Sequence, residues 1–217
     1  MSKTAIAILA AGKGSRMNSH KQLALFQGET LLSRAVRIAN DSGVGDVNVV
    51  LGYRADELAA HVGMDATIVF NDNWEEGIAS SIRAAVKELQ AANYDAVLFT
   101  TVDQPFVNEE HLRLLNDHFN SGKHEAVSSG YGTPATMGIP AMFSRTLFDQ
   151  LLQLHGDRGA KQILESANAM CIDTPAARFD IDTPSDLEQC RAEAEKNYSQ
   201  NLSLTIYTEI DSPAFSS

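Results

Sequence analysis

The sequence predicts an α/β protein: a mostly parallel mixed sheet covered by helices on both faces, three layers in a single domain. Short apolar runs alternate with segments of helical periodicity along almost the whole chain, which is the pattern of repeated strand–helix units. The first apolar run, I-A-I-L-A-A, feeds straight into a glycine-rich turn, and open α/β sheets bind ligands at such strand ends. With 217 residues, 44% of them hydrophobic, the chain can bury a sizeable core without disulfides or a structural metal.

The elements follow in order. Strands are expected over Thr4–Leu9, Asp46–Leu51, Thr67–Phe70, Asp95–Thr101, Glu125–Ser129 and Ala169–Asp173, each apolar and bounded by polar or turn-forming residues. Helical patterns fall between them at Leu31–Asp41, Ala55–Val62, Ile78–Ala92, Glu109–Asn120, Ser144–Leu154 and Asp157–Ser166, and a last helix follows Thr183. Met137 and Met142 alternate with small apolar residues and read as packing. Residues 1–197 make up the domain and 198–217 a polar tail, in which Leu202–Tyr207 alternates like an edge strand without an evident partner.

Composition excludes several classes. A formal net charge of −11 argues against a nucleic-acid partner, which would need a basic face. Cys171 and Cys190 are too few for a disulfide framework and read as reduced thiols. Ile6–Ala11 is too short for a signal-peptide core, and no run is long enough to span a membrane, so the expected location is the cytoplasm. The six histidines are scattered and suggest no metal cluster.

The turn after the first strand carries the chemistry. Gly12, Gly14 and Ser15 let backbone N–H groups approach phosphate oxygens because no Cβ intervenes, and Arg16 and Lys21 supply countercharge. Two common phosphate loops do not fit. A P-loop would need glycine at Ala7 and a hydroxyl at Gly14, and the dinucleotide fingerprint meets Met17 where a third small residue belongs. A polyanionic nucleotide approaching so acidic a chain needs a local positive field, so a divalent metal is expected.

The pattern L-A-A-G-x-G-x-R-M with lysine five residues after the arginine resembles the MobA-like nucleotidyltransferases, the family of the molybdenum-cofactor cytidylyl- and guanylyltransferases. The resemblance implies a Rossmann-like nucleotidyltransferase fold whose loop wraps the triphosphate of CTP or GTP. It places Arg16 and Lys21 on the phosphates and Leu9, Ala10 and Ala11 near the base. Asn18 departs from the glycine common after R-M in relatives. Asn71, in the loop up to Trp74, is also expected at the nucleotide.

Three further segments fit the same reading. V-L-F-T-T-V-D-Q-P ends a strand on Asp103, where proline stops helix continuation. In the family this aspartate holds Mg2+ or Mn2+; the structural alternative is an aspartate capping the loop that starts the next helix. In F-D-I-D-T-P-S-D-L, Thr183, Pro184 and Asp186 form a helix start with capping-box spacing. Asp182 is the expected second metal ligand, and Asp180 either joins it or braces the loop. In W-E-E-G-I-A-S-S, Gly77, Ser80 and Ser81 open a helix whose N-terminus suits an acceptor's phosphate, local capping being the structural alternative.

The G-D-R-G-A-K turn resembles the acceptor-side turn of the molybdenum-cofactor branch, with two roles open to Asp157, acceptor contact or helix N-cap. The implied reaction joins CMP or GMP to the phosphate of a phosphorylated pterin, with Lys21, Arg16 and Asp103 catalytic and a molybdoenzyme as transient partner. A sugar- or polyol-phosphate acceptor, a non-catalytic nucleotide-binding chaperone and a GT-A-like glycosyltransferase are the rival readings.

Overall fold

The computed structural model describes residues 2–17, 20–132 and 136–196. Asn18 and the tail 198–217, including the Leu202–Tyr207 strand expectation, lie outside them. In chain order the elements are β1 (Thr4–Leu9), β2 (Leu25–Phe26), β3 (Glu29–Thr30), α1 (Leu31–Ser42), β4 (Asp46–Leu51), α2 (Ala55–Ala59), β5 (Thr67–Phe70) and α3 (Ile78–Ala91). They continue with β6 (Ala96–Thr101), α4 (Glu109–Asn120), β7 (Ala126–Tyr131), β8 (Thr136–Ser144), α5 (Phe148–Leu151), α6 (Lys161–Ser166) and β9 (Met170–Asp173). A last helix, α7, covers 184–196.

Seven strands form one sheet in the order β5-β4-β1-β6-β8-β7-β9, with only β8 antiparallel to its neighbours. β1 lies between β4 and β6, with Leu9 opposite Val50 on one side and Thr101 on the other. Strand order reverses there, so a crevice opens beyond the carboxyl ends of β1 and β6.

The alternation along β1 builds two cores. Ile6 and Ile8 face Leu31 and Leu32 of α1, Leu112 and Leu115 of α4 and Leu187 of α7. Ala5, Ala7 and Leu9 face the opposite layer, where Ile82 and Val86 of α3 pack with Phe148 of α5 and Leu164 of α6. Both faces of the strand are buried, so its sequence reads as one unbroken apolar run. Truncating Ile6 to alanine would cost about 2–5 kcal/mol. Thr30 and Asn108 start α1 and α4 by accepting hydrogen bonds from the backbone N–H of Ser33 and His111.

One strand was not expected, and two expectations are corrected. β8 occupies a central place in the sheet, although Pro140 argues against a central strand. The register slips from Ser128↔Ala141 to Ser129↔Gly138, so Ile139 and Pro140 sit in a bulge where proline forfeits no ladder bond to β7. The helix expected over 144–154 is a 3-10 turn followed by the short α5, because β8 runs on to Ser144. α6 begins at Lys161 with Ala160 at its N-cap, so Asp157 does not cap it. The β2–β3 hairpin, two residues per strand, carried no periodic signal.

Candidate functional site

A cleft of about 330 Å³ opens at the strand-order reversal, lined from the glycine turn, the ends of β6 and α3, and the segment before α7. On its near wall the loop carbonyls are engaged by protein donors. The Gln22 side-chain amide donates to Ala10 O at 2.9 Å and to Gly12 O at 2.7 Å. The Tyr53 N–H donates to Ala11 O, and the Met17 N–H donates to Gly14 O. With these oxygens engaged, an anion in the turn meets fewer free carbonyl dipoles.

Across the cleft two acidic segments are tied together by backbone. The N–H of Ile181 donates to Asp103 O at 2.8 Å, which brings Asp182 beside Asp103. Gln104, buried, donates to the carbonyls of Ile139 and Ala177 and anchors the turn after Asp103. Asp182 itself precedes a capping box in which Asp186 accepts from the Thr183 N–H at 2.7 Å and Thr183 accepts from the Asp186 N–H at 3.2 Å.

One cation joins the walls. Lys21 Nζ lies 2.7 Å from Asp103 Oδ2 and 2.6 Å from Asp182 Oδ1, while Arg16 Nη2 lies 2.9 Å from Asp182 Oδ2. Burial disfavours the Lys21 ammonium, but Asp103 and Asp182 outweigh it and raise its pKa. The hydrogen bond from Lys21, with the charges of Lys21 and Arg16, holds Asp182 below the usual carboxylate range despite partial burial. Asp180 is pushed up to about 6 by partial burial and the charges of Asp103 and Asp182.

The same arrangement fits a divalent metal. Two carboxylates converge on one positive centre, and Mg2+ commonly takes one or two carboxylates together with substrate phosphates and water. Among the described residues no group of three or more His, Cys, Asp or Glu forms a complete cage, so phosphate and water would supply the remaining ligands.

The wall expected to take the acceptor is locked onto the start of α3. Gly77 has φ +114°, and a Cβ there would come within 2.3 Å of Asp157 Oδ1, so only glycine fits. Glu76 bonds Arg83 at 2.8 Å and accepts from the Gly156 N–H at 3.1 Å, while the Ala79 N–H donates to Gly156 O. The helix start therefore offers fewer free donors than its sequence suggests, because part of its first turn already holds the 156–157 turn.

Leu9, Ala10, Ala11, Gly12, Gly14, Ser15, Arg16, Lys21, Gly77, Ser81, Asp103, Asp157 and Asp182 all line the cleft. Three expected residues stand back from it. Asn71 is buried, and its amide donates to the Ser80 and Ser81 hydroxyls, so it braces the wall behind the ligand space. Ser80 is buried too and returns its own proton to Gly77 O. Asp180 lies near the two aspartates without lining the cleft. Gln22 is a lining residue that the sequence did not single out. Gln22 follows Lys21 directly, and only its position next to a loop cation could have marked it.

Residues 6–171 match the MobA-like NTP transferase domain. The chain is 28% identical over 204 residues to the purine catabolism protein PucB of Bacillus subtilis, covering 84% of this chain and 93% of that one. It is 29% identical over 163 residues to the nicotine blue oxidoreductase of Paenarthrobacter nicotinovorans, covering 72% and 79% of the two chains. Rv0371c of Mycobacterium tuberculosis superposes with a TM-score of 0.74 at 27% identity, covering 87% of this chain and 96% of that one. The same protein has been solved in complex with manganese, with a TM-score of 0.70 at 25% identity.

Proposed function

From the premise that this chain belongs to the MobA-like NTP transferase family of nucleotidyltransferases, we propose that it transfers CMP or GMP from CTP or GTP to the terminal phosphate of molybdopterin. The observation that supports it most is the Lys21 ammonium held between Asp103 and Asp182 against the glycine turn. A phosphate oxygen of the acceptor bonds to the α-phosphorus, the α–β bridging bond breaks, and its electron pair leaves with pyrophosphate. The acceptor phosphate is largely dianionic near neutral pH, with a second pKa of about 6, so no protein nucleophile is needed.

The residues divide this work by position. Lys21 pairs with charge developing at the α-phosphate, and the exposed Arg16 swings to the β and γ phosphates. Asp103 and Asp182 would hold Mg2+ or Mn2+, which neutralises phosphate oxygens when bound. That assignment draws on the manganese complex of Rv0371c. Asp180 braces the carboxylate pair. The loop does not favour nicotinamide chemistry, because Met17 is buried in the core where the dinucleotide fingerprint wants a small residue. We place the enzyme in the cytoplasm and expect it to hand its product to a molybdoenzyme by transient contact. Among the described residues no helix is long and apolar enough to cross a membrane.

The test is pyrophosphate release. CTP, GTP, ATP and UTP are each offered with Mg2+ and molybdopterin, and the thermal shift with nucleotide alone is recorded in parallel. Release with CTP or GTP that depends on the acceptor is expected. Nucleotide-dependent stabilisation without turnover would identify a binding module and overturn the proposal.

A further inference from the structure

Lys21 occupies the point that both cleft carboxylates face. Its Nζ lies 2.7 Å from Asp103 Oδ2 and 2.6 Å from Asp182 Oδ1. Any other cation bonded to both oxygens would have to stand where the ammonium stands. A doubly charged ion and an ammonium repel strongly at such separations, most of all in a partly buried site where water screens little. The position therefore holds one or the other. Arg16 does not compete for it, since its ion pair is with Asp182 Oδ2 and its side chain is 69% exposed.

The lysine can leave this point only by turning its outer stem. Lys21 opens the 3-10 turn Lys21–Leu23, and Gln22 beside it is fastened to the carbonyls of Ala10 and Gly12. The root of the side chain lies over Gly14, where a Cβ would come within 3.0 Å of Lys21 Cβ. The side chain is 11% exposed, and an ammonium so enclosed is costly to leave without a partner. Departure from Asp103 and Asp182 thus requires a second anion within reach. The remaining carboxylate among the described lining residues, Asp157, belongs to the α3 wall beside Gly77. A phosphate seated in the turn from Gly12 to Lys21 would supply that anion instead.

We propose that Lys21 is a built-in placeholder for the metal. In the free protein its ammonium closes the position between Asp103 and Asp182 to divalent ions, and the phosphates of an incoming nucleotide draw it off and open the position. Metal and nucleotide then bind as a coupled pair: phosphates are needed to take the ammonium, and the bared carboxylates need the metal. Deleting this cation from the cleft therefore improves metal binding in the absence of nucleotide. The closure rests on the chain's own charges, and the opening rests on the nucleotidyltransferase reading.

The experiment titrates Mn2+ into the whole chain without nucleotide and follows the loss of the free ion's electron paramagnetic resonance signal. Wild type is compared with Lys21→Met, which removes the charge, and with Lys21→Gln, which keeps a hydrogen-bonding group and serves if the methionine variant fails to fold. Adding Asp103→Asn to either variant shows whether binding that is gained lies at the carboxylates. In parallel, wild type is titrated with CTP or GTP present, and the relaxation of water protons reports manganese held on the protein.

Both uncharged variants should bind Mn2+ at least about tenfold more tightly than wild type, and their thermal midpoints should rise on addition of Mn2+ alone. Asp103→Asn should erase the gain, and nucleotide should bring manganese onto wild type. Mn2+ binding in nucleotide-free wild type as tight as in the variants, or a gain that survives Asp103→Asn, would overturn the proposal. If either happens while wild type still releases pyrophosphate with its acceptor, the placeholder falls and the nucleotidyltransferase reading stands. If nucleotide brings no manganese onto wild type while the variants still gain it, the closure stands and that reading falls.

Discussion

The two halves of the sheet meet at β6 but are built differently. On the β5-β4-β1-β6 side all strands run parallel and the functional groups follow within a few residues of a strand end, as in the turn from Gly12 to Lys21 and at Asp103. On the β8-β7-β9 side an antiparallel strand with a bulge at Pro140 is inserted, and its groups are placed by contacts far apart in sequence. Gln104 reaches across to Ile139 and Ala177, and Tyr131 rests on Gly138. In the proposed reaction the first half grips the triphosphate, a ligand of fixed chemistry. The second is held by a network in which one change moves several groups.

If that division is right, the largest effect belongs to the residue at the seam. Asp103→Ala should lower turnover by at least about a thousandfold while leaving the thermal midpoint close to wild type, since Asp103 is only half-buried. Activity within tenfold of wild type in a pyrophosphate-release assay would break the assignment. Gln22→Leu comes next. It removes both donors from the Ala10 and Gly12 carbonyls and should raise the nucleotide KM by about 10- to 100-fold. The acceptor KM should barely move, so a change in both would show that the halves are not separable.

A smaller effect is expected on the other side. Gly138→Ala must displace the Tyr131 ring tip, and should lower the thermal midpoint by a few degrees without altering nucleotide binding. An unchanged midpoint would show that the Tyr131 ring does not hold β7 and β8 together.

The smallest prediction concerns stability. His111 Nε2 lies 2.7 Å from Ser129 Oγ, and Ser129 donates its proton to Pro140 O, so His111 is the donor to Ser129 and ties α4 to the bulge. Burial depresses the His111 pKa from 6.5 to about 4. As pH falls through that window the unfolded chain takes up the proton first. The stabilising contribution is therefore whole above pH 6.5 and is lost toward pH 4, by up to about 3 kcal/mol. Urea midpoints between pH 7 and pH 4.5 should fall, and less steeply in His111→Gln. Equal slopes would show that another group carries the pH dependence.

The same contrast explains what was legible in the sequence. β1, β4 and β5 begin and end where their apolar runs do, because a strand buried on both faces has no competing pattern. Most of the cleft was readable because glycine, arginine, lysine and aspartate at strand ends have narrow structural uses. β8 was not, since Pro140 is a strand breaker unless a bulge receives it, and a bulge is set by its neighbour's register. Gln22 was hidden because its role depends on two carbonyl directions that only the folded turn defines. Asn71 and Ser80 sit back from the cleft for the converse reason. Polar residues beside a site look like ligand contacts, whereas burial has turned them to one another.

In the proposed enzyme the cation position between Asp103 and Asp182 and the turn from Gly12 to Lys21 together form one triphosphate site. Crystals soaked with CTP or GTP and Mn2+ test it most directly through manganese anomalous scattering. A peak between the two carboxylates is expected, with Lys21 released from them onto phosphate. A triphosphate bound elsewhere, or a manganese peak remote from Asp103 while Lys21 still bridges both aspartates, would contradict it.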